Sequence, residues 1–397
     1  MLNKKKWRRF ISAKLLIASM ILGGAAMKAS GAWGDLDTSF VSGGTYQETA
    51  TGYQIGDVVM QPDGKILVTG SKLNSNGKKR FFLRRSLSNG TPDASFGSNG
   101  SAVINVLLNS NYDYGGIEVR MLTASKIIVL GHSNNNIAVW MVNGDGYGNA
   151  NFGTNGMKVL SNYTSVRTHL GSISSRPVIG LYDETSQRVI IIKLNVDGTP
   201  DTTFGTFGKV NTNIYGTPTQ TPSFEMITEA DTTKITVGGM SLDSNPAIIK
   251  LERRFGDGTI DKIFFPLSNG SVEYPITIFN GFYKLNSSKY VYSHFNADGV
   301  NFTGFLSRTS SLGVLEERII GGPANMIVGI QPDGKIVVEG AYGVGRYDED
   351  INAQGSFSLY PNIEQLYARR YTFQADNKMI VVGTENDKLT LVRLLAN

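Results

Sequence analysis

Six carboxylates, Glu48, Asp57, Glu118, Asp183, Glu225 and Glu273, stand near the starts of short apolar segments. Two carboxyl groups on either side of a glycosidic bond are the machinery of glycoside hydrolysis, one giving a proton and one acting as base or nucleophile. No spacing singles out such a pair here, and solvated surface charge accounts for the six equally well. His132, His169 and His294 are far apart and form no His-x-x-x-His pair, so ordinary sheet or loop positions are expected for them. Gly131-His132-Ser133-Asn134-Asn135 lacks the final glycine of a Gly-x-Ser-x-Gly elbow and runs into an Asn-rich loop, which argues against a serine hydrolase. Asn195, Asp197 and Asp201 alternate around Gly198 and could set oxygens around calcium. Asp93, and Asp257 with Asp261, offer thinner versions of that arrangement. The competing expectation is that these side chains bond the local backbone and hold a turn. No catalytic residue is expected, and calcium is the one cofactor to consider.

The elements that would position these groups are strands. Lys65–Thr69, Lys126–Leu130, Val189–Leu194, Lys234–Val237, Lys335–Val338 and Lys378–Val382 are β-branched and bounded by Gly, Asn, Asp and Ser. No helical period follows residue 32. Two landmarks recur. One is a hairpin turn, Gln61-Pro62-Asp63-Gly64-Lys65 and Gln331-Pro332-Asp333-Gly334-Lys335, with degenerate copies ending at Lys126, Arg176, Lys234, Lys289 and Lys378. The other is the phrase Asp-Gly-Thr-Pro-Asp-Thr-Thr-Phe at 197–204, with relatives ending at Phe40, Phe96, Phe152, Phe264, Ile319 and Phe357. Phe40, Phe96, Phe152, Phe204 and Phe264 are expected in the core. Tyr46, Tyr53, Tyr112, Tyr114, Tyr274 and Tyr371 are candidates for a binding rim, with sheet packing as the competing expectation.

The offset from hairpin cation to phrase terminus runs from 22 to 31 residues over six units. The last hairpin has no phrase after it, and the first phrase has no hairpin before it. Joining the two chain ends supplies a seventh unit of ordinary length. A linear solenoid needs caps, not matching half-units, whereas a closed ring removes open sheet edges. The expected fold is therefore all-β: a β-propeller of seven four-stranded blades, closed by N- and C-terminal strands, over residues 33–397. Six or eight blades stay open. The strands are too short and Gly-broken for an outer-membrane barrel.

The paired landmarks, Asn-x-Asp-Gly-Thr-x-Asp-x-x-Phe-Gly-x-x-Gly with Gln-Pro-Asp-Gly-Lys-Ile-x-Val-x-Gly, resemble the delta-60 repeat of bacterial exported proteins. The resemblance spans residues 33–397 and is weakest over 273–320. It implies a β-propeller and implies no common activity.

Residues 1–32 have the layout of a secretory signal peptide: Lys4, Lys5, Lys6, Arg8 and Arg9, an apolar stretch from Leu15 to Met27, then Ser30-Gly31-Ala32. An uncleaved anchor is the alternative. Without the leader, 31 basic and 33 acidic residues remain, a formal charge of −2. The basic pI therefore gives no argument for nucleic acid. The absence of cysteine excludes disulfides and thiolate metal sites. The expected protein is exported to the periplasm, cell surface or exterior, a monomer with no transmembrane span in its mature chain. It is expected to be a non-enzymatic binding or scaffold module for a protein or glycan ligand. The alternatives are a propeller enzyme acting on glycans, hydrolase or lyase, or a calcium-stabilised structural domain. The enzyme alternative predicts carboxylates from different blades converging in the channel with displaced pKa values.

Overall fold

The β-branched runs pair into seven antiparallel sheets, six of four strands and one of three among the described residues. The computed structural model describes residues 32–41, 43–73, 75, 77–103, 114–133, 136–161, 163, 167–217, 220–229, 233–243, 248–262, 271–272, 278–297, 302–311, 315–319, 326–340, 343–358 and 362–396. The leader expectation falls outside them, Ala32 apart.

Blade 1 comprises Tyr53–Met60, Ile66–Leu73 and Lys79–Ser86; blade 2 comprises Tyr114–Thr123, Lys126–Ser133, Asn136–Asn143 and Met157–Leu160. Blade 3 is Thr168–Ile173, Arg176–Asp183, Arg188–Lys193 and Lys209–Tyr215, and blade 4 is Phe224–Glu229, Lys234–Ser241, Ile248–Phe255 and Ser271–Val272. Blade 5 is Ile278–Lys284, Tyr290–Ala297, Phe302–Thr309 and Leu315–Ile319, and blade 6 is Met326–Ile330, Ile336–Glu339, Gly343–Tyr347 and Ala353–Ser358. Blade 7 joins both ends of the chain: Tyr367–Phe373, Met379–Glu385 and Lys388–Leu394 take Thr45–Gln47 as their outermost strand. The first strand of each blade neighbours the first strands of the blades before and after it, so these seven line a central channel. The sequence-derived blade count, order and terminal closure all hold.

Burial explains why the ring closes. Seven apolar clusters each fill one junction between consecutive blades. Phe40, Phe96, Phe152 and Phe204 have no exposed surface and anchor four of them. Phe264 lies outside the described residues. Two phrase relatives prove to be strand positions instead of turns. Ile319 ends the outer strand of blade 5, and Phe357 sits in the outer strand of blade 6, edge-on to Trp33 at 4.8 Å. Among the described residues, three of the six rim candidates pack within or between blades. Tyr53 is buried in the junction between blades 7 and 1, Tyr46 donates to Glu48 at 2.9 Å, and Tyr371 packs between blades 6 and 7. Tyr112 and Tyr274, and the side chain of Tyr114, lie outside the described residues.

The phrase has a physical reason. Asp201 Oδ1 accepts the Thr203 backbone N–H (3.2 Å) and hydroxyl (2.6 Å), while its Oδ2 meets Arg176 at 2.6 Å and Lys193 at 3.2 Å. Arg176 is the hairpin cation, and Lys193 lies 5.6 Å from the centroid of the Phe204 ring. Asp93 repeats this with Ser95, Lys65 and Arg85, Asp261 with Lys234 and Arg253, and Asp37 with Ser39, Lys378 and Arg393. Each aspartate thus joins a turn, a hairpin and a third strand. Burial raises the Asp201 carboxyl, but Thr203, Arg176 and Lys193 together hold it far below the usual range. In blade 2 both halves are missing: Met141 stands where the strand cation would be, and Asn149 stands for the aspartate. Asn149 still caps Asn151 at 3.0 Å and donates to Asn143 at 2.9 Å.

Candidate functional site

In every blade, the residue four beyond the hairpin cation pairs with one residue of the channel-lining strand. The pairs are Thr69 with Asp57, Leu130 with Glu118, Gly180 with His169, Gly238 with Glu225, Ser293 with Asn280, Glu339 with Met326 and Val382 with Arg370. These seven are equivalent positions around the ring. On four consecutive blades they read acid, acid, histidine, acid. Three of the six carboxylates singled out in the sequence therefore converge. Glu48 instead pairs with Arg84 at 2.5 Å, Asp183 closes a turn onto Ser186 at 2.7 Å, and Glu273 is outside the described residues.

The side chains tie blade to blade. Asp57 Oδ2 accepts the Val119 N–H at 3.1 Å and pairs with Arg120 at 2.5 Å, both on blade 2. Glu118 Oε2 accepts the Leu170 N–H of blade 3 at 2.8 Å, and its Oε1 lies 3.2 Å from His169 Nδ1. The same Nδ1 is 3.4 Å from Glu225 Oε2 on blade 4. The ring continues with uncharged ties: Ser223 accepts the Phe279 N–H at 3.0 Å, and Ser293 accepts the Ile327 N–H at 3.3 Å. Arg369 donates to Glu339 at 2.8 Å, and Arg370 donates to the Gly56 carbonyl at 2.6 Å. Every junction carries at least one such tie.

The histidine expectation divides. His294 is an ordinary core residue, 3.1 Å from the Ser307 hydroxyl and stacked on Phe305, and burial pushes it down to about 4. His132 lies in the second strand of blade 2, with its side chain outside the described residues. His169 departs from expectation: it is the charged centre of the channel. Burial opposes its charge, yet Glu225 and Glu118 together outweigh that and hold it up at about 9. One Nδ1 proton cannot satisfy two carboxylates. Burial raises the Glu118 carboxyl, but His169, Arg120 and the Leu170 N–H outweigh it and leave Glu118 low. Glu225 has fewer partners, and burial leaves its carboxyl raised. These groups are enclosed by the ring yet touch channel solvent, with 30% of the Glu225 side chain and 18% of the His169 side chain accessible. That water screens the interactions among them.

The Glu225 carboxyl is thus shifted up and the Glu118 carboxyl down. Two carboxyls pushed apart in this way can act as proton donor and acceptor. Each Glu118 oxygen, however, is already held by a donor, which disfavours attack on a substrate.

The calcium candidates are engaged within their own turn. Asp201 is saturated by two cations, Asp197 Oδ1 takes the Thr199 N–H and hydroxyl, and the Asn195 amide donates to Thr199 and Pro200. No group of three or more His, Cys, Asp or Glu suited to a metal occurs among the described residues. The melting temperature of the folded chain should therefore agree within about 1 °C in calcium and in chelator, whereas a bound stabilising ion would raise it with concentration.

The fold and channel together define a seven-bladed β-propeller with polar axial ties. Residues 61–96 and 178–204 match the family described as "Domain of unknown function (DUF5122) beta-propeller". No curated protein matches the chain. Among solved structures it is similar to the extracellular domain of the putative one component system BT4673 from B. thetaiotaomicron (12% identity, 87% of this chain and 40% of that one, TM-score 0.47). It is also similar to the Neurospora crassa Pan2 WD40 domain (9% identity, 87% and 90%, TM-score 0.49) and to prolyl oligopeptidase B from Galerina marginata (10% identity, 83% and 46%, TM-score 0.45). The chain thus spans less than half the length of two of these three. No described helix is long and apolar enough to cross a membrane.

Proposed function

We propose that the protein is an exported, non-enzymatic binding or scaffold propeller of the delta-60 type. It works as a monomer in the bacterial envelope or outside the cell and engages a protein or glycan. The leader-like residues 1–32 support export. One observation carries the non-catalytic reading: the channel charges neutralise one another as ties between blades. Asp57 and Glu118 each receive a backbone N–H from the next blade and a cationic partner. A carboxylate so held is a poor nucleophile.

The opposed displacement of Glu225 and Glu118 favours a second reading, a glycan hydrolase or lyase with Glu225 as proton donor. Release of new reducing ends or unsaturated products from a polysaccharide panel by residues 33–397 separates the two. The binding reading expects no release above that of Glu225→Gln. Release that the Glu225→Gln variant abolishes would establish the enzyme.

A further inference from the structure

The repeats themselves show which residues the fold requires. After each phenylalanine of the phrases in blades 1, 2 and 3 comes a tight two-residue turn with reciprocal backbone bonds, between Ser98 and Ser101, Thr154 and Met157, and Thr206 and Lys209. Both central residues have positive φ: Asn99 (53°) with Gly100 (87°), Asn155 (54°) with Gly156 (88°), and Phe207 (52°) with Gly208 (82°). This is a type I′ turn, which favours Asn-Gly because asparagine tolerates the left-handed region and a bulky aromatic does not. Two turns obey the rule. The third carries a phenylalanine that is 83% exposed. It is strained and it packs no core, so the fold does not account for it.

Phe207 stands on the wall of a groove of about 770 Å³ that also involves Leu160, Tyr163, Lys209, Asn211 and Arg254. The lining contains two cations and no carboxylate among the described residues. Arg254 is spent on Glu252 and on the Gly258 and Asn211 carbonyls. The nearby turn acids Asp197 and Asp257 are each bonded to their own threonine. Among the described residues Lys209 pairs with no carboxylate, which leaves its ammonium as the uncommitted cation of the groove.

We propose that this groove binds an acidic oligosaccharide, with the apolar face of one sugar ring on Phe207 and a uronate carboxylate on Lys209. An apolar ring face meets an aromatic platform, and the uncommitted ammonium selects the charge. The proposal deepens the binding reading and shares no residue with the channel, so its failure is distinct from a positive turnover assay.

The probes are tetragalacturonate and the uncharged cellotetraose, titrated calorimetrically against the folded chain and two variants. Tetragalacturonate should bind once per chain, more weakly as salt is raised. Phe207→Asn restores the residue of the sister turns, so it should raise the melting temperature while weakening binding about tenfold or more. Lys209→Gln should weaken binding severalfold and flatten the salt dependence. Three results would each overturn the proposal: no tetragalacturonate binding at millimolar concentration, unchanged affinity in a folded Phe207→Asn variant, or cellotetraose bound as tightly as the acid.

Discussion

Asp201→Ala should destabilise the protein by about 3–5 kcal/mol, the cost of stranding buried charge when one partner of an ion pair is removed. The Lys193 side chain is 7% exposed and would lose its carboxylate while remaining out of water. The turn would also lose the acceptor that holds Thr203. Blade 2 suggests the repair, since Met141 and Asn149 occupy the same two positions without charge. Asp201→Asn should therefore be costly alone, and adding Lys193→Met should recover most of the loss. Urea unfolding of the wild type, both single variants and the double variant gives the coupling directly. Independent, additive losses would refute the triad account. The sign with pH follows from a carboxyl held below its unfolded value. The stabilisation is complete at neutral pH and erodes as pH falls below the ordinary carboxyl value of 3.8 toward the lower folded value.

A chain beginning at Thr51 should lose cooperative unfolding or melt more than 15 °C lower, as a rough expectation. It would lack the strand Thr45–Gln47 paired to Thr390–Val392, and Phe40, which anchors the junction between blades 7 and 1. Removing a buried Phe side chain alone costs about 3–5 kcal/mol. Asp37 would also go, leaving Lys378 and Arg393 without it. Losses of that size consume most of the roughly 5–15 kcal/mol that a domain possesses. Differential scanning calorimetry of the two chains decides. A truncated chain melting within about 2 °C of the longer one would mean the ring does not depend on terminal closure.

The ring was legible because each unit repeats two turns with strict backbone demands. Asp-x-x-Phe survives at all four ion triads, and the hairpin cation survives in every blade even where Pro-Asp-Gly is lost. The half-units at the chain ends were legible for the same reason. The channel was not. Asp57, Glu118, His169, Glu225, Asn280, Met326 and Arg370 precede their hairpin cations by 8, 8, 7, 9, 9, 9 and 8 residues. Bulges at Ile55/Asp57, Gly116/Glu118, Asn280/Phe282 and Ile327/Gly329, and hairpins of unequal length, shift the count from blade to blade. A fixed period cannot align such positions. Counting four residues forward from each hairpin cation, into the more regular second strand, would have aligned their partners. Phe207 was visible as a departure from Asn-Gly, but its meaning needed the positive φ and the exposure.

The central claim is that the channel charges tie the blades together and do not catalyse. The most direct test is the titration of His169, followed by NMR in the chain labelled at histidine and assigned with His169→Gln. The account predicts that His169 stays protonated through neutral pH and titrates near 9. Its contribution to stability, on the order of 2 kcal/mol after allowing for channel water, should be fully present below pH 6.5 and fade as pH rises from there through about 9. A His169 that titrates between 6 and 7, with stability unchanged from pH 6 to 9, would contradict the account and would describe a poised general base.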